Sequence, residues 1–308
     1  VEIKDIVPEG TTIYRINDNG EISLNGTNEI VWQIAKIEAG EKKEVSFEVT
    51  VNYDTKEKTI ENVGQVDGKE TNKVETPYKV PEVVLESSII KDGTERITSA
   101  EEKVSYTINY KAEVEKFTGK GKLTIVDNLP YEIDEANSEL NGGTYNKETK
   151  TITWEEELNN IDTYSNAEGK TTIERTKTIT LKYIYPDEEN LSGTIENRVE
   201  GTISLIQGEE TIKEETKEDN HKVEVEIPAK VIVHHYIYDE AKGGETREQV
   251  PAKDGGKVGD EEIKGIVGQE YDTKPSNKVN ANYECVNTEP EKHTGTMTKT
   301  EIEVTYYY

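Results

Sequence analysis

Among its 308 residues the chain has one cysteine, one methionine, two tryptophans and two phenylalanines. The lone Cys285 excludes an intrachain disulfide and any cysteine-based metal site. No run approaches the roughly 18–20 apolar residues of a membrane span, so membrane insertion is not expected in this segment. Nor is there a signal peptide: Val1-Glu2-Ile3-Lys4 is charged from the start, and the chain reads as a piece cut from something longer. Basic residues are scarce, 37 against 64 acidic ones, and the net charge of −27 repels nucleic acid and anionic membrane surfaces. This acidity is read mainly as solubility. Of the four histidines, His234 and His235 are neighbours on a strand-like run and point to opposite faces, so they cannot share a metal. With no Ser-His-Asp set, phosphate loop or paired histidine ligands, no catalysis is expected.

Strand-forming Thr, Val, Ile and Tyr dominate what is present. Val45, Phe47, Val49, Val51 and Tyr53 alternate with polar residues, as do Val104, Tyr106, Ile108 and Tyr110. The pattern returns at Ile179, Leu181, Tyr183 and Tyr185, and again at Val223, Val225 and Ile227. No stretch keeps a helical period over three turns. Asp18-Asn19-Gly20, Asn25-Gly26, Asp67-Gly68, Asp92-Gly93 and Asn141-Gly142-Gly143 supply turn signals. The chain is expected to be mainly β, built of sandwiches.

Two landmarks recur at one distance. Asp5-Ile6-Val7-Pro8 precedes Trp32 as Asp127-Asn128-Leu129-Pro130 precedes Trp154, with 27 residues from Asp to Trp in both cases. Each copy closes on a similar string, Thr59-Ile60-Glu61-Asn62-Val63 and Thr194-Ile195-Glu196-Asn197-Arg198-Val199. One domain type is therefore present twice. Trp32 to Asn62 is 30 residues and Trp154 to Asn197 is 43, which places an insertion in the second copy, read as a loop over Asn159 to Lys170. The second copy also has about forty residues before Asp127, with strands expected at 83–90 and 104–114. The first has four before Asp5 and lacks those opening strands. A sandwich stripped of them exposes a sheet edge, so the expectation is either that a neighbouring molecule covers it or that this copy is the least stable part of the chain.

The expected units are 1–80, 82–227 and 229–308, joined by proline-stiffened linkers at Thr76–Pro81 and Ile227–Lys230. Trp32 and Trp154 are expected in the cores. Asp5 and Asp127, before their prolines, are expected to shape turns by bonding to backbone.

The Asp-x-x-Pro strand end, the mid-domain Trp, the long alternating strand and the closing Glu-Asn-x-Val resemble repeat domains of Gram-positive surface proteins. These are the immunoglobulin-like repeats and the isopeptide-forming domains of fimbrial and collagen-adhesin type. The last unit opens with Val231-Ile232-Val233-His234-His235-Tyr236-Ile237-Tyr238 and carries Gly265-Ile266-Val267-Gly268-Gln269-Glu270-Tyr271. Tyr283, Gly295 and the closing strand Ile302–Tyr308 follow. It resembles a MucBP (mucin-binding protein) domain. The resemblance implies two tandem immunoglobulin-like sandwiches, the first incomplete at its N-terminus, plus a β-grasp-like C-terminal domain, all at an extracellular or cell-wall surface.

It also implies one covalent reaction, attack of a first-strand lysine amine on a last-strand asparagine beside a buried, protonated acid. Asn197 falls where that asparagine would, with Asn62 as its counterpart. Ser87 or Ser88 stands where the lysine would be sought, so Lys91 is the candidate partner of Asn197. Lys91 precedes Asp92-Gly93, and at a turn it would be solvated and charged. Read without the reaction, Asn62 and Asn197 bond to backbone where a strand ends. Calcium is the one cofactor considered, at Asn17–Gly20 or Asp187–Asn190. Neither has the ligand spacing of a dedicated calcium loop, and solvated turn charge is expected. Tyr236, Tyr238, Tyr271, Tyr283 and Tyr306 are the candidate binding face, for host mucin, glycan or an extracellular protein. The expected role is adhesion or adhesin presentation without an enzyme; the alternative is a structural spacer with no ligand of its own.

Overall fold

A computed structural model describes residues 1–308 apart from 24–27, 53–54, 56–58, 80 and 166. The expected Asn25-Gly26 turn, Tyr53 at the end of its alternating run, and Val80 in the first linker lie outside the described residues. Strands are the dominant regular structure, and the sheets form three groups in chain order. Among the described residues no helix is long and apolar enough to cross a membrane.

The principal strands of the first group are β1 (Glu2–Ile6), β2 (Thr11–Ile16), β3 (Glu29–Gln33), β4 (Phe47–Val51), β5 (Thr59–Asn62) and β6 (Gly64–Val66). β1 is central in its sheet, antiparallel to β3 and to β6. The facing sheet is β2 paired with β4 alone among the described residues. The core is correspondingly thin. Val7, Ile30 and Trp32 are buried, and Ile3, Ile13, Phe47 and Val49 are only half covered.

The second group has β7 (Val84–Gly93), β8 (Val104–Glu115), β9 (Thr118–Asn128), β10 (Thr151–Asp162), β11 (Lys170–Leu181), β12 (Gly193–Gln207) and β13 (Glu210–Val225). One sheet is β7-β8-β11; the other runs β13-β12-β9-β10 with short strands at both edges. Alternation supplies the core, with Tyr106, Ile108, Ile125, Ile152, Ile179 and Ile203 fully buried between the sheets. The expected loop over 159–170 is shorter than its composition suggests, since β10 continues to Asp162 and β11 resumes at Lys170.

In the third group β14 (Pro228–Asp239) is flanked on one edge by β15 (Gly244–Gln249) and β16 (Glu261–Ile266). On the other edge it runs parallel to β18 (Ile302–Tyr307), which pairs in turn with β17 (Asn287–Glu289). First and last strands lying parallel in the centre is the β-grasp arrangement. The second expected linker is not a free connection. Pro228 opens β14, Ile227 and Ala229 are buried, and the Val267 N–H donates to the Ile227 carbonyl at 2.9 Å. The Asp187–Asn190 turn also joins the two groups. The Glu189 carboxylate accepts the Thr300 hydroxyl at 2.6 Å, and the Glu189 carbonyl accepts the Lys299 N–H at 2.9 Å.

Candidate functional site

The two copies superimpose in register. Asp127 on β9 stands opposite Ile152 of β10 and Val199 of β12, and Asn197 lies two residues before Val199. Asp5 on β1 stands opposite Ile30 of β3 and Gly64 of β6, and Asn62 lies two residues before Gly64. The tryptophans follow the two isoleucines by two positions and are buried, as expected. Each indole N–H is bonded to turn backbone, Trp32 to the Asn17 carbonyl at 2.9 Å and Trp154 to that of Asn141 at 3.1 Å.

The expectation for Lys91 is overturned. Asp92-Gly93 is not a turn; β7 runs through it, with Asp92 opposite Thr107 and Gly93 opposite Tyr106. Glycine is needed at 93 because a Cβ there would stand 2.2 Å from the Ser105 carbonyl oxygen. Period-two alternation then puts Lys91 on the same inward row as Leu85 and Ile89, while Ile90 faces out at 59% exposure. The Lys91 side chain is fully buried. Its ammonium pairs with Asp127 Oδ1 and sits 4.5 Å from the centre of the Tyr106 ring.

Asp127 likewise shapes no turn. It lies on the buried row of β9 behind Leu123 and Ile125, and its second oxygen, Oδ2, accepts from Asn197 Nδ2 at 3.2 Å. Asn197, on the buried row of β12, bonds to side chains rather than backbone, for Nδ2 also reaches the Tyr183 hydroxyl at 3.4 Å. Its Oδ1 is buried with no partner. One carboxyl thus bridges an amine and a carboxamide inside an apolar sandwich.

The electrostatics push this set toward neutrality. Burial lowers the Lys91 pKa to about 8, against the opposing pull of Asp127 and Asp219. Burial raises that of Asp127, against Lys91 and Asn197. Both directions raise the share of neutral amine and neutral acid above what exposed groups would have. A protonated Asp127 could donate to Asn197 Oδ1 after a flip of the amide, which would satisfy the orphaned oxygen. A neutral amine, a carboxamide with a polarised carbonyl and an acid able to pass a proton are the reactants of amide exchange.

The five tyrosines do not form one face. Tyr306 is buried, hydrogen-bonded to Thr273 at 2.9 Å and stacked on buried His235, so it belongs to the core. Tyr271 is half-buried against Gly295, and Tyr238 and Tyr283 are exposed on separate segments. Tyr236 alone lines a polar cleft of about 470 Å³, with His234, Arg247, Glu289, Glu303 and Tyr307. There its ring stacks on His234 at 5.3 Å and 11°. Sequence reading missed Arg247, which only the return of β15 along β14 brings beside Tyr236. Among the described residues no three His, Cys, Asp or Glu gather as a metal site.

Comparison with known proteins adds a family for the third group. The MucBP domain family matches residues 251–308. No curated protein matches the chain. Among solved structures, the full-length major pilin SpaD from Corynebacterium diphtheriae is 11% identical over 100% of this chain and 92% of its own, with a TM-score of 0.30. A bacterial adhesin from Mobiluncus mulieris, containing intramolecular disulfide, isopeptide and ester bond cross-links, is 10% identical over 74% of this chain and 98% of its own, at 0.32 and 0.33 in two crystal forms. The bacterial hydrophobin BslA is 12% identical over 45% and 94%, at 0.23. At such scores these likenesses carry no argument.

Proposed function

We propose that the chain is a non-enzymatic, cell-surface adhesion or adhesin-presenting stalk whose second sandwich locks itself with an amide bond between Lys91 and Asn197. The observation carrying this reading is the buried Lys91–Asp127–Asn197 set, three polar side chains on inward rows of otherwise apolar strands. The neutral Lys91 Nζ attacks Asn197 Cγ, Asp127 relays a proton from that nitrogen to Nδ2, and ammonia leaves. A single-turnover bond of this kind makes a structural element, not an enzyme. The MucBP match supports an extracellular setting for the third unit, with mucin or a glycan as its ligand class. The Tyr236 cleft is the surface we assign to that ligand.

Intact mass tests the bond, since a purified chain should be lighter than its sequence by one ammonia. Mucin and glycan-array binding by residues 1–308 tests the ligand. A negative result on both arrays would leave the spacer reading, which the scattering of the five tyrosines favours.

A further inference from the structure

The Asp187-Glu188-Glu189-Asn190 turn carries three carboxylates, and each is engaged by another group of the chain. Asp187 acts within the turn. Its Oδ1 accepts the Asn190 N–H at 3.2 Å and its Oδ2 accepts from Asn190 Nδ2 at 2.9 Å, which fixes the shape of the turn. The other two reach out of the second group into the third. Glu189 Oε2 accepts the Thr300 N–H at 3.1 Å as well as the Thr300 hydroxyl, and the Glu188 carboxylate pairs with the Lys299 ammonium at 3.4 Å. Hydrogen bonds to an ionised acceptor are stronger than those between neutral groups.

The segment gripped by the turn is braced from behind. The Gly268 N–H donates to the Met297 carbonyl at 2.9 Å, which ties the loops on either side of the third group's base together. Gly268 has a φ of +86°, and a Cβ on it would stand 2.7 Å from Ser192 Oγ, so glycine lets this backbone settle directly on the second group. The third group thus meets the second at three places. One is the chain itself, from Ile227 into Pro228; another is Val267 and Gly268 on Ile227 and Ser192; the last is Lys299 and Thr300 on the turn. A single connection leaves a swivel, and each further attachment removes a rotation. Apolar packing is continuous across the junction as well. Leu191, Ile227 and Ala229 belong to one core cluster that runs from Leu85 to Tyr308, whereas Val7, Ile30 and Trp32 form a separate one. Relative motion is the default between domains, and an extensive apolar interface is what removes it.

We infer that the Asp187–Asn190 turn is a latch that fixes the third group on the second, so that the two form one rigid body. Glu189 carries most of it, because its carbonyl and carboxylate together hold three donors from Lys299 and Thr300. The consequence is orientation. Every surface of the third group is carried at one angle to the strands of the sandwich instead of turning on a flexible joint. None of these contacts involves Lys91, Asn197 or the Tyr236 cleft, so the latch stands apart from the readings of those sites.

Pulsed dipolar spectroscopy between two spin labels on the full chain tests this. Cys285→Ser removes the one native thiol, and labels are placed at Glu157→Cys on β10 and Lys274→Cys in the third group, both exposed positions. With the latch intact the pair should give a single narrow distance. Glu189→Ala combined with Thr300→Val removes the side-chain half of the latch, and the narrow distance should be lost to a broad one. A second pair inside the third group, Lys264→Cys with Lys274→Cys, should stay narrow in that variant, which shows that the group is still folded. A broad distance between the groups before the latch is cut refutes the rigid body. A narrow distance that survives the cut refutes the role of the turn. Broadening of the internal pair as well would make the turn a support for the third group's own fold, and overturns the latch.

Discussion

Replacing Lys91 with methionine keeps most of the buried aliphatic stem and removes only the amine. If Lys91 and Asn197 are bonded, the native chain holds a closed loop of roughly a hundred residues. In the chain-entropy treatment of cross-links, such closure is worth about 4.7 kcal/mol, because it removes conformations from the unfolded chain. Lys91→Met forfeits that term. Stranding the buried Asp127 carboxyl without its partner adds to that loss, so the cross-link contribution sets a lower bound. For a domain of roughly 150 residues, each kcal/mol moves Tm by about 2–4 °C, so the second sandwich should melt roughly 10–20 °C lower. Trp154 fluorescence in a Trp32→Phe background reads that sandwich alone, because the chain has no other tryptophan. Intact mass is read on the same samples, and the variant should have its full sequence mass. A parent protein already at full mass, or melting within a few degrees of the variant, refutes the argument.

Gly143 packs beneath Trp154, where an added Cβ would lie 2.5 Å from Ile152 Cγ2 and 2.7 Å from the indole; Gly143→Ala should cost about 1–3 kcal/mol in chemical denaturation. In Asn197→Ala, which cannot cross-link, Lys91 keeps its amine with a folded pKa of about 8 against 10.5 unfolded. The unfolded chain then binds more protons between those values, so stability relative to the parent should rise from pH 8 to 10.5; a flat difference would count against a buried amine. Burial lowers the pKa of His235 in the third group, so the unfolded state takes up the proton first. Stability there should fall as pH drops below 6.5, and His235→Gln should flatten the profile measured by thermal unfolding. Under force, the residues between 91 and 197 should stay closed at about 3.3–3.6 Å each, and Lys91→Met should lengthen the released contour by roughly 350–380 Å in single-molecule pulling.

Much of the fold was legible because alternation and turn chemistry act locally. The repeat was legible because Asp, Trp and Asn hold fixed places in a shared register. Lys91 was misread because Asp92-Gly93 carries the same letters as a hairpin turn. Only the approach of the Ser105 backbone, a long-range contact, tells that glycine's purpose apart. The inward row Leu85, Ser87, Ile89, Lys91 was there to be counted, as were the rows carrying Asp127 and Asn197. A polar residue in phase with apolar ones on three strands was the available signal. The polar cleft left no such trace, because β14, β15 and β18 meet only through long-range pairing.

Where the cross-link sits also bears on how the chain would carry load. Lys91 belongs to the three-stranded sheet of its sandwich, while Asp127 and Asn197 belong to the six-stranded sheet. A bond between them joins the two layers through the core, which apolar packing alone would otherwise hold together. It also ties the first strand, β7, to β12, which pairs along β13, and β13 leads within two residues into β14. Tension entering at β7 would pass through the amide into β12 and onward to the third group, bypassing β8 to β11. The first copy has the same acid and carboxamide in the same register, but among the described residues its layers are held by a core cluster of just Val7, Ile30 and Trp32, with Ile60 buried apart from it.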